Sequence, residues 1–195
     1  MGILGSIIGG IAGALLGDHV GIAGFGNAVN GSIPGAITGI VVGGLLEDKI
    51  SNKNAPIFPV KGAPAPNVTI KTRQMENEIF EKIYQMRMSR GLSIPCIDDS
   101  LSIIARYKSF DMANLGKLEV TGGTYGDLAN MLNGFGYDFE NAVIGMGDEY
   151  YGDDSRLLNW ARSAQVSRLL FSDDFKKIGV GYVEHNGYFS VILAN

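Results

Sequence analysis

From Gln74 onward apolar residues recur at helical spacing. Ile79, Ile83, Met86 and Met88 fall on one face of an amphipathic helix, and Ser89-Arg90-Gly91 predicts its end with Gly91 as the C-cap. A second helix is predicted within IDDSLSIIARYKSFDMANLG. There Leu101, Ile104, Ala105, Lys108 and Met112 follow the same period, and Gly116 closes the element. Near the C-terminal end the pattern turns β-rich. KIGVGYVEHNGYFSVILA separates into runs at 177–184 and 188–194 around His185, Asn186 and Gly187, and Asn-Gly is the strongest short hairpin signal.

The first fifty residues obey another rule. Glycine stands at Gly5, Gly9, Gly13, Gly17 and Gly21, and the spacing returns at Gly31, Gly35, Gly39 and Gly43. Residues four apart share a helix face, so each row forms a flat stripe on which a second helix can pack closely. Ile3, Leu4, Ile7, Ile8, Ile11, Leu15 and Leu16 make the other faces apolar. The pattern predicts helices over about 3–24 and 33–48, the second with Ser32 as N-cap and Pro34 in its first turn. FGNAVNG supplies the turn of a helical hairpin that resembles the glycine-zipper segments of bacterial membrane-associated proteins. The uncharged runs of the two helices, near 16 and 15 residues, are shorter than the roughly 20 a bilayer span needs. Asp18 and His19 interrupt the first, although further uncharged residues precede the second; a two-span anchor is therefore marginal. Shallow membrane insertion and packing against protein subunits both fit, with a homo-oligomer or larger assembly expected. The absence of a basic stretch before the apolar run argues against a cleaved signal. Gly2 and Ser6 fit the loose myristoylation pattern.

Residues 51–73 contain Pro56, Pro59, Pro64 and Pro66 and no helical period, which predicts an extended linker. The reading is therefore a hairpin over 1–50, a linker over 51–73 and a globular domain over 74–195. A net charge of −4 across 195 residues gives no footprint for nucleic acid. One cysteine, Cys96, excludes an intrachain disulfide, and the two histidines, His19 and His185, leave little for metal chemistry.

Three stretches together resemble one superfamily. RGLSIPCIDDSLSIIARYKSFDMA is similar to the opening helices of CAP domains, the group of cysteine-rich secretory, antigen 5, pathogenesis-related and bacterial SCP proteins. FENAVIG at 139–145 resembles the GEN(I/L) motif of that group. WARSAQVSRLLFSDDFKKIGVGY aligns without a gap with its W-x-x-S-P-x-H-R…F…IGVGY stretch. The resemblance implies an α+β fold, an α-β-α sandwich. It also implies a cleft of two histidines and glutamates able to hold a divalent metal. Glu140 matches the glutamate of that cleft. The histidine positions fall on Val120, beside Thr121, and on Val166. Valine has no lone pair for a metal, and Glu140 with Glu119 would hold a hard cation only weakly. No metal and no cofactor are expected.

Cys96 matches a buried leucine of the group and is expected to be a small core residue. GMGDEYYGDDSR is expected to be a solvated loop. Tyr125, Tyr137, Tyr150 and Tyr151 are candidates for lining a carbohydrate or lipid cleft, or for ordinary packing. The functional expectation is a non-enzymatic interaction module at a membrane or cell envelope. A virion ejection protein is the alternative, since the opening residues also resemble the pilot proteins of small tailless bacteriophages. A CAP-type hydrolase using Glu140 is the second alternative.

Overall fold

The computed structural model describes residues 65–195 together with the backbone of Ile40–Leu45. The elements in chain order are β1 (Ile40–Leu45), α1 (Ile70–Met88), β2 (Cys96–Ile97), α2 (Asp99–Leu115) and α3 (Leu128–Gly134). Then follow β3 (Asn141–Gly147), α4 (Asp154–Arg162), α5 (Ala164–Leu170), β4 (Lys177–Val183) and β5 (Tyr188–Ala194). The sheet order is β1-β3-β5-β4-β2, antiparallel except for the short β2–β4 pair.

Strand alternation divides the core into two layers. Ala142, Ile144 and Met146 of β3, with Ile192 and Ala194 of β5, face α2 and α3. Val143, Val191, Leu193, Ile178, Val180 and Tyr182 face α1, α4 and α5. This is the α-β-α sandwich expected from the sequence. In the layer of α2 the helix lies directly on β4. A Cβ at Gly179 or Gly181 would run into the backbone of Leu101, Ser102, Ala105 and Arg106, so the two glycines of GVG set the depth of that packing.

Local signals explain most boundaries. Asp98 caps α2, its Oδ1 accepting the Leu101 N–H at 3.0 Å, and Gly116 ends the helix at φ 67°. Asn186 and Gly187 carry φ 54° and 59°, the pair of left-handed residues that a tight hairpin between β4 and β5 demands.

Some expectations are corrected. The helix α1 starts at Ile70, not Gln74, because the Thr69 Oγ1 caps the Thr72 N–H at 3.0 Å. Met88 leaves the apolar face and is exposed, since the helix ends there and Leu92 N–H turns back onto the Arg87 carbonyl. Residues 40–45 form a strand rather than part of a helix over 33–48. Their β-branched run finds a partner in β3, with Ile40 opposite Met146 and Leu45 opposite Asn141. Gly43 is therefore in a strand. Gly5, Gly9, Gly13, Gly17, Gly21, Gly31, Gly35 and Gly39, and the helix over 3–24, lie outside the described residues.

Candidate functional site

The three positions matched to the cleft of the superfamily are held by different elements. Val120 belongs to the loop 116–127 and is buried in the layer of α2 and α3. Val166 lies on α5, fully buried in the opposite layer with Trp160, Leu157 and Leu170. Glu140 is exposed on the residue before β3, its N–H donating to the Asn195 carbonyl at 3.1 Å. The donor set does not fit a metal: two of the three side chains are aliphatic and each is sealed in a separate core. Among the described residues no three histidine, cysteine or acidic side chains are grouped to hold a cation.

The loop that carries Val120 is fixed by buried charge. Lys108 of α2 is 1% exposed, and its Nζ donates to the carbonyls of Val120 at 3.2 Å and Gly126 at 3.0 Å. Burial pushes its ammonium below the usual lysine range, while Asp111, Glu119 and Asp127 nearby pull it back up. Asp111 accepts the Thr124 N–H at 2.9 Å through Oδ1, and its Oδ2 is buried without a hydrogen-bond partner. Gly123, at φ 85°, presses its backbone against that carboxylate, where any Cβ would collide. The Glu119 carboxylate is held below its ordinary range, first by Lys117 at 2.8 Å. The N–H groups of Gly122 at 3.1 Å and Thr121 at 3.3 Å act in the same direction. The Glu119 carboxylate thus serves its own turn and does not pair with Glu140.

The tyrosines are not gathered into one cleft. Tyr125 is buried with Tyr107 in one layer, and Tyr150 is buried in the other, its ring 5.8 Å from that of Phe189. Tyr137 donates to Asp98 Oδ2 at 2.9 Å, and Tyr151 is exposed. Tyr182 donates to the Tyr150 carbonyl at 3.0 Å, and burial pushes its phenol up to about 12. GMGDEYYGDDSR is therefore not one solvated loop, because β3 claims its first three residues and the core claims Tyr150. Cys96 is exposed rather than buried, because β2 is a two-residue outermost strand whose neighbour is only the start of β4.

Sequence reasoning missed two buried charge networks. Glu76 of α1 and Arg106 of α2 form a bidentate ion pair, Arg106 Nη2 reaching Oε2 at 2.9 Å and Nε the other oxygen. Glu76 Oε1 also accepts the Tyr182 N–H at 3.3 Å, Ser102 Oγ accepts the Val180 N–H at 3.3 Å, and Ser109 Oγ donates to the Gly181 carbonyl at 3.0 Å. These side chains satisfy the edge of β4 beyond β2, and Glu76, Arg106 and Ser102 floor a small cleft lined by Arg73, Asn77, Phe80 and Ile97. Arg87 is fully buried. It donates to the carbonyls of Ser93 at 2.7 Å, Ser172 at 2.9 Å and Leu170, tying α1 to the end of α5. Charges sitting on apolar helix faces, Glu76 one turn before Ile79 and Arg87 one turn after Ile83, were the available signal.

No protein-family model matches the chain. It is 26% identical over 137 residues to the uncharacterised protein YkwD of Bacillus subtilis, covering 70% of this chain and 53% of that one. The chain thus spans about half the length of the curated relative it matches. Among solved structures, it superposes on an extracellular protein containing an SCP domain from Bacillus anthracis with TM-score 0.58 and 19% identity. That match covers 67% of this chain and 45% of the other. An outer surface protein of Borrelia burgdorferi gives TM-score 0.57 and 18% identity over 63% of this chain and 93% of the other. A cysteine-rich secretory protein of Staphylococcus aureus gives 0.55 and 18% over 65% and 40%. The α-β-α sandwich, with its IGVGY hairpin, has the fold of the SCP, or CAP, domain.

Proposed function

We propose that this chain is a non-enzymatic SCP-type interaction module of the cell surface, positioned against a membrane or a larger assembly by the glycine segment of residues 1–50. The observation that carries the reading is valine at both histidine positions. Val120 and Val166 are packed into separate apolar cores on opposite faces of the sheet, so the side chains at the two matched positions offer no lone pair and do not converge on one ion. Glu140 faces solvent at the residue before β3. The extracellular and outer-surface descriptions of the similar structures support the location. Among the described residues no helix is long and apolar enough to cross a membrane.

Liposome flotation of the full chain beside a chain beginning at residue 65 tests the placement. Flotation of the full chain alone, resistant to a carbonate wash, supports it; sedimentation of both shifts the segment to protein packing. A hydrolase screen on the full chain and Glu140→Ala tests the non-enzymatic half. Turnover that disappears in Glu140→Ala refutes it.

A further inference from the structure

β3 runs Asn141–Gly147 without a charge or a proline. An uncharged strand left at a sheet edge is a template for pairing, and proteins cover or charge such edges. Here the cover is Ile40–Leu45, in antiparallel register from Ile40 opposite Met146 to Leu45 opposite Asn141. Helices from both layers lie against that strand, α3 on one side and α5 on the other. The helix α5 beside this strand carries Val166, and Glu140 directly precedes the Asn141 that pairs with Leu45. The six residues in it are uncharged, and Gly43 belongs to the glycine row marked out for helix packing.

A strand bonds its backbone N–H and C=O groups to a neighbour, whereas a helix bonds them internally, so one segment cannot do both at once. We propose that the outer edge of β3, between α3 and α5, is a groove for an extended apolar segment. Ile40–Leu45 is its resident occupant, and occupancy withholds those residues from the membrane-facing glycine segment. The groove stands on the sheet register, and its competition with the membrane rests on the function proposed above. Binding at the β3 edge by strand addition needs no histidine, metal or charged anchor. Main-chain hydrogen bonds supply the affinity and the flanking helices the apolar walls.

Disulfide trapping in the full chain tests both parts. In a Cys96→Ser background, Leu45→Cys is paired with Asn141→Cys, and separately Gly44→Cys with Ala142→Cys. Adjacent antiparallel pairs alternate between wide and narrow spacing, so the two variants sample both, and both spacings lie within disulfide reach. Circular dichroism and the emission of Trp160 report whether each variant folds. The expected result is an intramolecular crosslink in at least one variant. Its oxidised form then loses flotation on vesicles of equal parts phosphatidylcholine and phosphatidylglycerol, and reduction restores it. Failure of both folded variants to crosslink overturns the groove. Crosslinks only between copies overturn the resident occupant. Equal flotation of oxidised and reduced chains overturns the competition. A crosslink with no flotation in either state overturns the membrane reading and, with it, the competition, while leaving the groove in place.

Discussion

Substituting Gly145 by alanine perturbs the centre of β3, where Gly145 lies between Val41 of β1 and Val191 of β5. The new Cβ would stand 2.8 Å from Trp160 Cζ2 and 3.4 Å from Cη2. Carbon atoms prefer about 3.5 Å or more, so the indole must retreat by roughly 0.7 Å. It has little freedom to do so. Trp160 is fully buried, its Nε1 donates to the Met146 carbonyl at 2.8 Å, and its ring meets that of Phe189 edge-on at 4.8 Å. Overpacking of this kind costs about 1–3 kcal/mol, and stretching the indole hydrogen bond costs about 1 kcal/mol more. The loss of unfolded-state freedom on replacing glycine returns about 0.5–1 kcal/mol. The expected net destabilisation is about 2 kcal/mol, read from the midpoint of urea unfolding by circular dichroism. Trp160→Phe leaves a cavity of its own but removes the colliding atoms. The double variant should therefore be less destabilised than the sum of the singles by about 1 kcal/mol. A Gly145→Ala protein within about 0.5 kcal/mol of the parent, or a cycle that is simply additive, refutes this packing argument.

Arg87→Met should cost about 3 kcal/mol or more in urea unfolding, because the carbonyls of Ser93, Leu170 and Ser172 lose their shared donor. Lys108→Met should loosen the loop 116–127, which hangs from its ammonium through Val120 and Gly126. Faster tryptic cleavage after the exposed Lys117 measures this, and an unchanged rate refutes it. Glu119, with its folded pKa depressed by Lys117 and two backbone N–H groups, contributes stability that is complete above the ordinary carboxylate range. That contribution is lost as pH falls through its folded pKa. Glu119→Gln should accordingly be less stable than the parent at neutral pH, and the two unfolding midpoints should converge in acid.

The parts of the fold legible in the sequence were those specified by neighbours along the chain. Asp98 and Gly116 bracket α2 because a cap and a left-handed terminus need only a few adjacent residues. The β4–β5 hairpin is set by Asn186 and Gly187. The strand Ile40–Leu45 was misread for the opposite reason. Glycine at every fourth position fits a helix, and the pairing that overrides it comes from β3, far along the chain. Cys96 matches a buried leucine of the superfamily, whereas its exposure follows from the outermost place of β2. Motif spacing matches Val120, Glu140 and Val166 to the cleft of the superfamily, but it does not show how the three lie in space. That the two valines lie in separate cores became visible only once the sheet was in place between them. The Glu76–Arg106 pair escaped notice because charge on a helix reads as solvated until tertiary packing covers it.

The two borders of the sheet are finished differently, and this sets how the protein can self-associate. On the β4 side, Ser102, Ser109 and Glu76 satisfy the backbone, and β2 is too short to recruit another chain. On the β3 side the closure among the described residues is the strand Ile40–Leu45. A molecule stripped of that strand has a single adhesive border. Two such molecules can join border to border by twofold symmetry and then have nothing left to offer a third. Loss of Ile40–Leu45 should therefore yield discrete pairs, whereas a sheet open on both sides would grow into fibres.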